Sequence, residues 1–225
     1  VKLAQSSYIS MEFLKFELDH YETNDYLTDI ENSDFQSLSF DEKVNLLETS
    51  LEQYTKDLEP IELLSFYENT ILSIIKKTTE HNSVKIRNFS LYLTYASLIH
   101  GKELFEPYLN IIIPDLLAMF EDKHKDVIFT ATEVLEKIFK IVNKYSLNDM
   151  VELFKNRISN KSWKMSIGCL KLISILTESA PEQIDYMLPE LIPLVTSQAG
   201  STKKELREQS TNTLNDCCKR ISNPD

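Results

Sequence analysis

One spacing constrains this chain more than any other feature. Ile86, Val127, Met165 and Leu206 stand 41, 38 and 41 residues apart, and each is followed four positions later by a small residue: Ser90, Ala131, Cys169 and Ser210. Eight positions on come Thr94, Leu135, Ile173 and Leu214, and eleven on come Ser97, Ile138, Leu176 and Cys217. Such spacings fall on one face of a helix, so four helices carry the same inward stripe. The small residue in each stripe lets neighbouring backbones approach. The intervening stretches are helical in pattern too, and two of them hold prolines 79 residues apart, Pro114 and Pro193, close to two periods. Amphipathic pairs of this kind bury their stripes only against their neighbours, which predicts an all-α chain of stacked helix pairs.

A period near 40 residues with two helices per unit is the mark of HEAT-type α-solenoids. The spacing predicts four repeats at about 60–101, 102–145, 146–179 and 181–222. An amphipathic segment from Phe40 to Tyr54 reads as half of a degenerate first repeat, which makes four to five helix pairs in a domain spanning 35–225. Cap chemistry marks the breaks: Pro60 and Pro181 suit first helical turns, Asn82-Ser83, Asp122, Ser162 and Ser201-Thr202 precede helix starts, and Gly101 is placed to end a helix. Residues 1–34 have no clear period and read as an acidic N-terminal extension or cap, with a short capping helix near residues 10–18 followed by a loosely held loop.

Composition narrows the function. The three glycines, Gly101, Gly168 and Gly200, leave no pair close enough for a phosphate-cradling loop or a dinucleotide fingerprint, so no cofactor is expected in this segment. Net charge is -11, but eight of the 35 acids fall in residues 1–34, and the remainder of the chain is only mildly acidic. Cys169, Cys217 and Cys218 lack disulfide-framework or zinc spacing and suit a reducing compartment. Uncharged stretches such as 88–101 are too short to span a bilayer, which takes about 20 residues. A soluble, cytoplasmic, monomeric protein without membrane association is expected, and its start at Val1 suggests a piece of a longer chain.

No catalytic constellation emerges. His20, His81, His100 and His124 are scattered, and none has the i, i+4 partner or acidic company of a metal site or dyad. Asp122, His124 and Asp126 sit in an inter-helix turn where charges are solvated, Glu103 and Glu106 have no accompanying nucleophile, and Cys217 lies in the inward register of a buried thiol. Catalytic, metal and small-molecule sites are therefore not expected. The suggestive residues are basic and stand at second-helix starts: Lys85 and Arg87, Lys123 and Lys125, Lys161 and Lys164 beside Trp163, then Lys203, Lys204 and Arg207. The period lines them along one edge. Such a ridge can meet phosphates or an acidic protein surface, with Trp163 available for stacking; equally, HEAT turns are commonly charged and Trp163 can cap an inter-repeat core.

Several phrases resemble the amino-terminal HEAT region of the fungal elongation factor 3 family. They are Phe105-Glu-Pro-Tyr-Leu, Lys161-Ser-Trp-Lys, Leu188-Pro-Glu-Leu-Ile-Pro, Thr202-Lys-Lys-Glu-Leu and Ile221-Ser-Asn-Pro-Asp, in that order between about 104 and 224. The large HEAT activator of the kinase that phosphorylates initiation factor 2 shares this module. The first resemblance implies an ABC-type ribosomal ATPase as the parent protein, with this segment as a non-catalytic arm that docks on small-subunit proteins and ribosomal RNA during translation elongation. Lys123, Lys125, Trp163, Lys164, Lys203, Lys204 and Arg207 would then be partner-binding residues. The second resemblance implies a regulatory scaffold, and the repeat architecture alone would also suit a general protein-binding array, including tubulin-binding or transport-receptor types.

Overall fold

The computed structural model describes residues 30–31, 34–143, 147–158 and 162–219. The expected capping helix near residues 10–18, Lys161 and the 221–225 phrase lie outside them. Among the described residues the α-helices follow in order: α1 (Phe40–Thr55), α2 (Pro60–Phe66), α3 (Leu72–Thr79), α4 (Val84–Gly101), α5 (Leu109–Ala118), α6 (Lys125–Ile141), α7 (Leu147–Ile158), α8 (Trp163–Ser179), α9 (Pro181–Ala199) and α10 (Lys204–Cys218). No strand occurs among the described residues.

Local chemistry accounts for the starts. Ser39 closes a full capping box before α1: its hydroxyl accepts from the Glu42 amide at 3.4 Å, and the Glu42 carboxylate accepts from the Ser39 amide at 2.8 Å. Pro60 and Pro181 occupy the first helical positions of α2 and α9, where a missing N–H costs nothing. The Ser162 hydroxyl accepts from the Met165 amide at the start of α8. Ser83 is the N-cap of α4, but its hydroxyl donates to Glu31 at 2.7 Å and makes no bond to the helix.

Two compact units divide the chain, Val1–Ile112 and Ile113–Asp225. In the first, α4 packs against both α1 and α3, and the core is aromatic. Phe35 meets Phe89 and Tyr92 edge-on at 5.7 and 6.2 Å, and Tyr54 stacks on Phe66 at 5.0 Å. A π-helical segment, Tyr67–Ile71, joins α2 to α3 and carries the fully buried Tyr67 ring, which lies 5.1 Å from Phe105. Gly101 does end α4, though for steric room: the left-handed residue is Lys102 (φ 44°), whereas a Cβ on Gly101 would lie 2.6 Å from the Tyr67 hydroxyl.

The second unit is mostly aliphatic. Here α8 packs against α6 and α10 on its flanks and against α7 and α9, while α9 also contacts α7 and α10. The repeated stripe is buried along its length in α4, α6 and α8, with Met165, Cys169, Ile173 and Leu176 all solvent-free. In α10 the stripe narrows: Leu206, Ser210 and Cys217 are buried, but Leu214 is half-buried and Thr213 takes the interior place. Unlike α8, α10 has a second-helix neighbour on one flank only among the described residues, so a single seam suffices. Small hydroxyl residues seal the crossings: Ser166 donates to the Ile158 carbonyl at 3.1 Å, Ser210 to Val195 at 2.5 Å and Thr213 to Leu170 at 3.0 Å.

A partly buried polar chain runs through the first unit, with His100 half-buried at its centre. The Tyr67 hydroxyl meets His100 Nδ1 at 2.5 Å, His100 Nε2 meets Thr55 Oγ1 at 3.0 Å, and Thr55 donates to the Leu51 carbonyl at 2.8 Å. The chain is satisfied by a neutral imidazole that accepts at Nδ1 and donates at Nε2. Burial lowers the His100 pKa below its ordinary 6.5, against a smaller opposing pull from Glu52.

This packing makes two glycines behave in opposite ways. A Cβ on Gly168 would lie 2.2 Å from the Phe120 ring, so Gly168→Ala should lower unfolding free energy by about 1–3 kcal/mol. Gly200→Ala meets nothing nearer than 3.8 Å at a negative φ and should stabilise by about 0.4–1 kcal/mol; urea titration of both variants checks the contrast. Because folded His100 binds a proton less readily than unfolded His100, its contribution is present above pH 6.5 and is lost as pH falls through and below that value. The fall in urea midpoint from pH 7.5 to pH 5.5 should therefore be smaller in His100→Gln than in the parent chain; equal falls would contradict the half-buried neutral state.

Candidate functional site

The basic residues sit where helices begin. Lys123 and Lys125 flank His124, the N-cap of α6, in a turn held by the Asp122 carboxylate accepting from the His124 amide at 2.8 Å. Trp163 and Lys164 are the first two residues of α8. Lys203 is the N-cap of α10, Lys204 its first residue, and Arg207 reaches back to donate to the Ser201 carbonyl at 2.8 Å. All six cations are exposed.

Direct contact joins two of these turns. The Lys203 ammonium lies 5.7 Å from the centroid of the Trp163 ring, bringing the starts of α8 and α10 side by side. Trp163 is half-buried, so the indole is a wall carrying a cation on its face. Lys204 pairs with Glu208 at 3.4 Å across one turn, an exposed ion pair of small energetic weight. Lys123 and Lys125 stand at the start of α6, Lys164 follows Trp163 in α8, and Lys85 and Arg87 belong to the first unit.

Position gives these residues meaning. A helix N-terminus carries roughly half a positive charge, so a cation in the first turn costs about 0.3–1 kcal/mol at exposed sites. Lys125, Lys164 and Lys204 all occupy first turns. By contrast, Lys76 and Lys77 end α3, where the dipole favours them. The helix dipole therefore does not select Lys125, Lys164 or Lys204.

One residue escaped the reading of the sequence. Phe129 is 71% exposed, one turn beyond Lys125 on the same face of α6. The period equates it with Ile167, half-buried one turn beyond Trp163. The signal was available, since Phe129 stands two residues past Val127 and so points away from the inward stripe. The surface combines cations with apolar side chains.

Other reactive groups are held inert or solvated. Burial pushes the Cys169 thiol up to about 12 and that of Cys217 up to about 11, which keeps both protonated. His81 accepts from the Ser83 amide at 3.1 Å and His124 is exposed. Among the described residues, no group of three or more His, Cys, Asp or Glu is arranged to hold a metal ion, and no helix is long and apolar enough to cross a membrane.

Comparison with known proteins agrees with this architecture. The family described as "EF3 N-terminal HEAT repeat" matches residues 57–214 and so takes in the stretch before 104 that the sequence phrases left out. Elongation factor 3 of Pneumocystis carinii is 27% identical over 188 residues, which cover 81% of this chain and 18% of that protein. Elongation factor 3B of Saccharomyces cerevisiae is 31% identical over 121 residues, 53% of this chain and 12% of that protein. The chain thus spans under a fifth of the length of these relatives. Among solved structures, the MAST/Orbit N-terminal domain superposes with a TM-score of 0.58 at 18% identity, covering 86% of this chain and 83% of that domain, and it supports the fold alone. With the family pattern running over most of its length and the helix pairs in place, this chain belongs to the elongation factor 3 N-terminal HEAT repeat family.

Proposed function

We propose that this segment is the ribosome-docking arm of an elongation factor 3-like translation factor, and that it contributes binding without catalysis. The observation that carries the reading is the placement of Lys125, Lys164 and Lys204 in first turns, where the helix dipole opposes them, in a chain of this family. Cations kept against the local preference of the fold suit a surface that meets anions. Ribosomal RNA phosphates and acidic patches on small-subunit proteins supply them, and Phe129 with Ile167 adds apolar contact beside the charges. The arm works as a monomer in the cytoplasm. ATP hydrolysis belongs to other parts of the parent protein, since residues 1–225 carry no phosphate-loop sequence.

Salt dependence gives the test. Attraction to phosphates weakens with the logarithm of salt concentration, and removing a cation that meets a phosphate lowers the slope by about one. The variant Lys164→Glu/Lys203→Glu/Lys204→Glu should bind ribosomes at least about tenfold more weakly at low salt, with a shallower salt slope. Its helicity should be unchanged and its thermal midpoint no lower, because carboxylates suit helix N-termini. Co-sedimentation with ribosomes, paired with circular dichroism, reads both. Undiminished binding by the triple variant would move the function to another face.

A further inference from the structure

A cleft of about 530 Å³ lies among the second helices of the second unit, away from their basic N-termini. Gln209, Asn212 and Asn215 of α10 form one wall, Lys171 and Ser174 of α8 the other, and Glu136 of α6 reaches its margin. Asp216 and Lys219, paired at 2.9 Å, stand further along α10. The volume is in the range of about 300–1,000 Å³ that holds small molecules or short chain segments.

The floor of the cleft is pinned. Ser174 donates to Thr213 Oγ1 at 3.0 Å, Thr213 donates to the Leu170 carbonyl at 3.0 Å, and Gln209 Nε2 donates to Thr213 Oγ1 at 3.3 Å. This network uses the interior place that Thr213 takes in α10, and it orients the Gln209 amide before any partner arrives. Gln209, Asn212 and Asn215 recur every three residues along one helix face, a row of groups that each donate and accept.

Charge narrows the occupant. Two lysines are balanced by two carboxylates, so a net-charged ligand gains little, and the Glu136 and Asp216 carboxylates disfavour a phosphate backbone. A peptide main chain carries no net charge and presents both N–H and C=O groups. We propose that this cleft binds an extended, uncharged peptide segment of a partner protein, recognised chiefly through its main chain by the carboxamides of Gln209, Asn212 and Asn215. The site is separate from the basic ridge and does not depend on ribosome docking.

The probe is a phage-displayed library of random dodecapeptides selected on the 225-residue chain. The best peptide is then measured by fluorescence anisotropy against three proteins: the parent chain, Asn212→Ala/Asn215→Ala, and the ridge variant Lys164→Glu/Lys203→Glu/Lys204→Glu. Losing two carboxamides should weaken binding about tenfold, while the ridge variant should bind as the parent does. Single backbone N-methylation at a central peptide position should give a similar loss without touching the protein, so misfolding cannot mimic the result. Failure to select any peptide, indifference to the Asn variants or to N-methylation, or loss in the ridge variant would overturn the proposal. Displacement of the peptide by an oligouridylate would also overturn it, assigning the cleft to single-stranded RNA.

Discussion

A helix that must bury two flanks at once sets the terms for this fold. In the second unit α8 is covered by α6 on one side and α10 on the other, and it meets α7 and α9 as well. Its apolar surface is correspondingly broad, with Met165, Leu170, Leu172, Ile173 and Leu176 all removed from solvent. Such a helix can be approached closely only where side chains are small. Gly168 and Cys169 supply that place, and the Phe120 ring seats against Gly168 with no room for another carbon. The hydroxyls of Ser166, Ser210 and Thr213 do related work at the other crossings, satisfying neighbouring carbonyls while adding little bulk.

Stacking of this kind has an electrostatic consequence. The starts of α8 and α10 lie side by side, as the reach of Lys203 to the Trp163 ring shows, so the positive dipole ends of these two helices are neighbours. An edge of aligned N-termini is already hospitable to anions through its unpaired amides. Adding Lys164 and Lys204 strengthens that field and opposes the fold locally. The opposition is partly relieved on the spot by Glu208 beside Lys204 and by the indole beneath Lys203. Both relieving contacts are exposed or half-exposed, which leaves the cations available to a partner.

The sequence made the stripe legible because burial on a helix follows a rigid angular rule. Ile86, Val127 and Met165 are fully buried, and the small residues four places on lie at interior crossings. Where geometry depends on what lies across the gap, the rule ran out. Leu214 repeats the stripe by spacing yet is half-exposed, since that position is interior only when both flanks are covered. Gly101 reads as a helix stop, but the reason for glycine is the Tyr67 hydroxyl, 34 residues away in the chain and carried by a π-helical segment that no periodicity announces. The contact of Lys203 with Trp163 is likewise a tertiary fact. In the first unit, edge-on aromatic contacts of Phe35 with Phe89 and Tyr92, and of Tyr67 with Phe105, join the stripe of α4, and no helical spacing announces them.

The same rule that makes the core legible frees the opposite face. Inward positions on α8 and α10 answer to the helices packed against them, whereas outward positions face solvent, so they can take on charge or amide character with little effect on packing. The 15 residues of α10 run about 22 Å, long enough to display two chemistries. Its first turn presents Lys204 and Arg207, and its later turns present Asn212 and Asn215. Between them Gln209 is tied to Thr213, which joins the exposed face to the seam with α8. A substitution at Thr213 would therefore disturb both the packing of α10 and the orientation of the cleft wall. Substitutions at Lys204 or Asn212, both exposed, would leave the buried stripe untouched and change mainly what the helix offers to a partner. In this architecture specificity can diverge along a helix while the stripe beneath it stays the same.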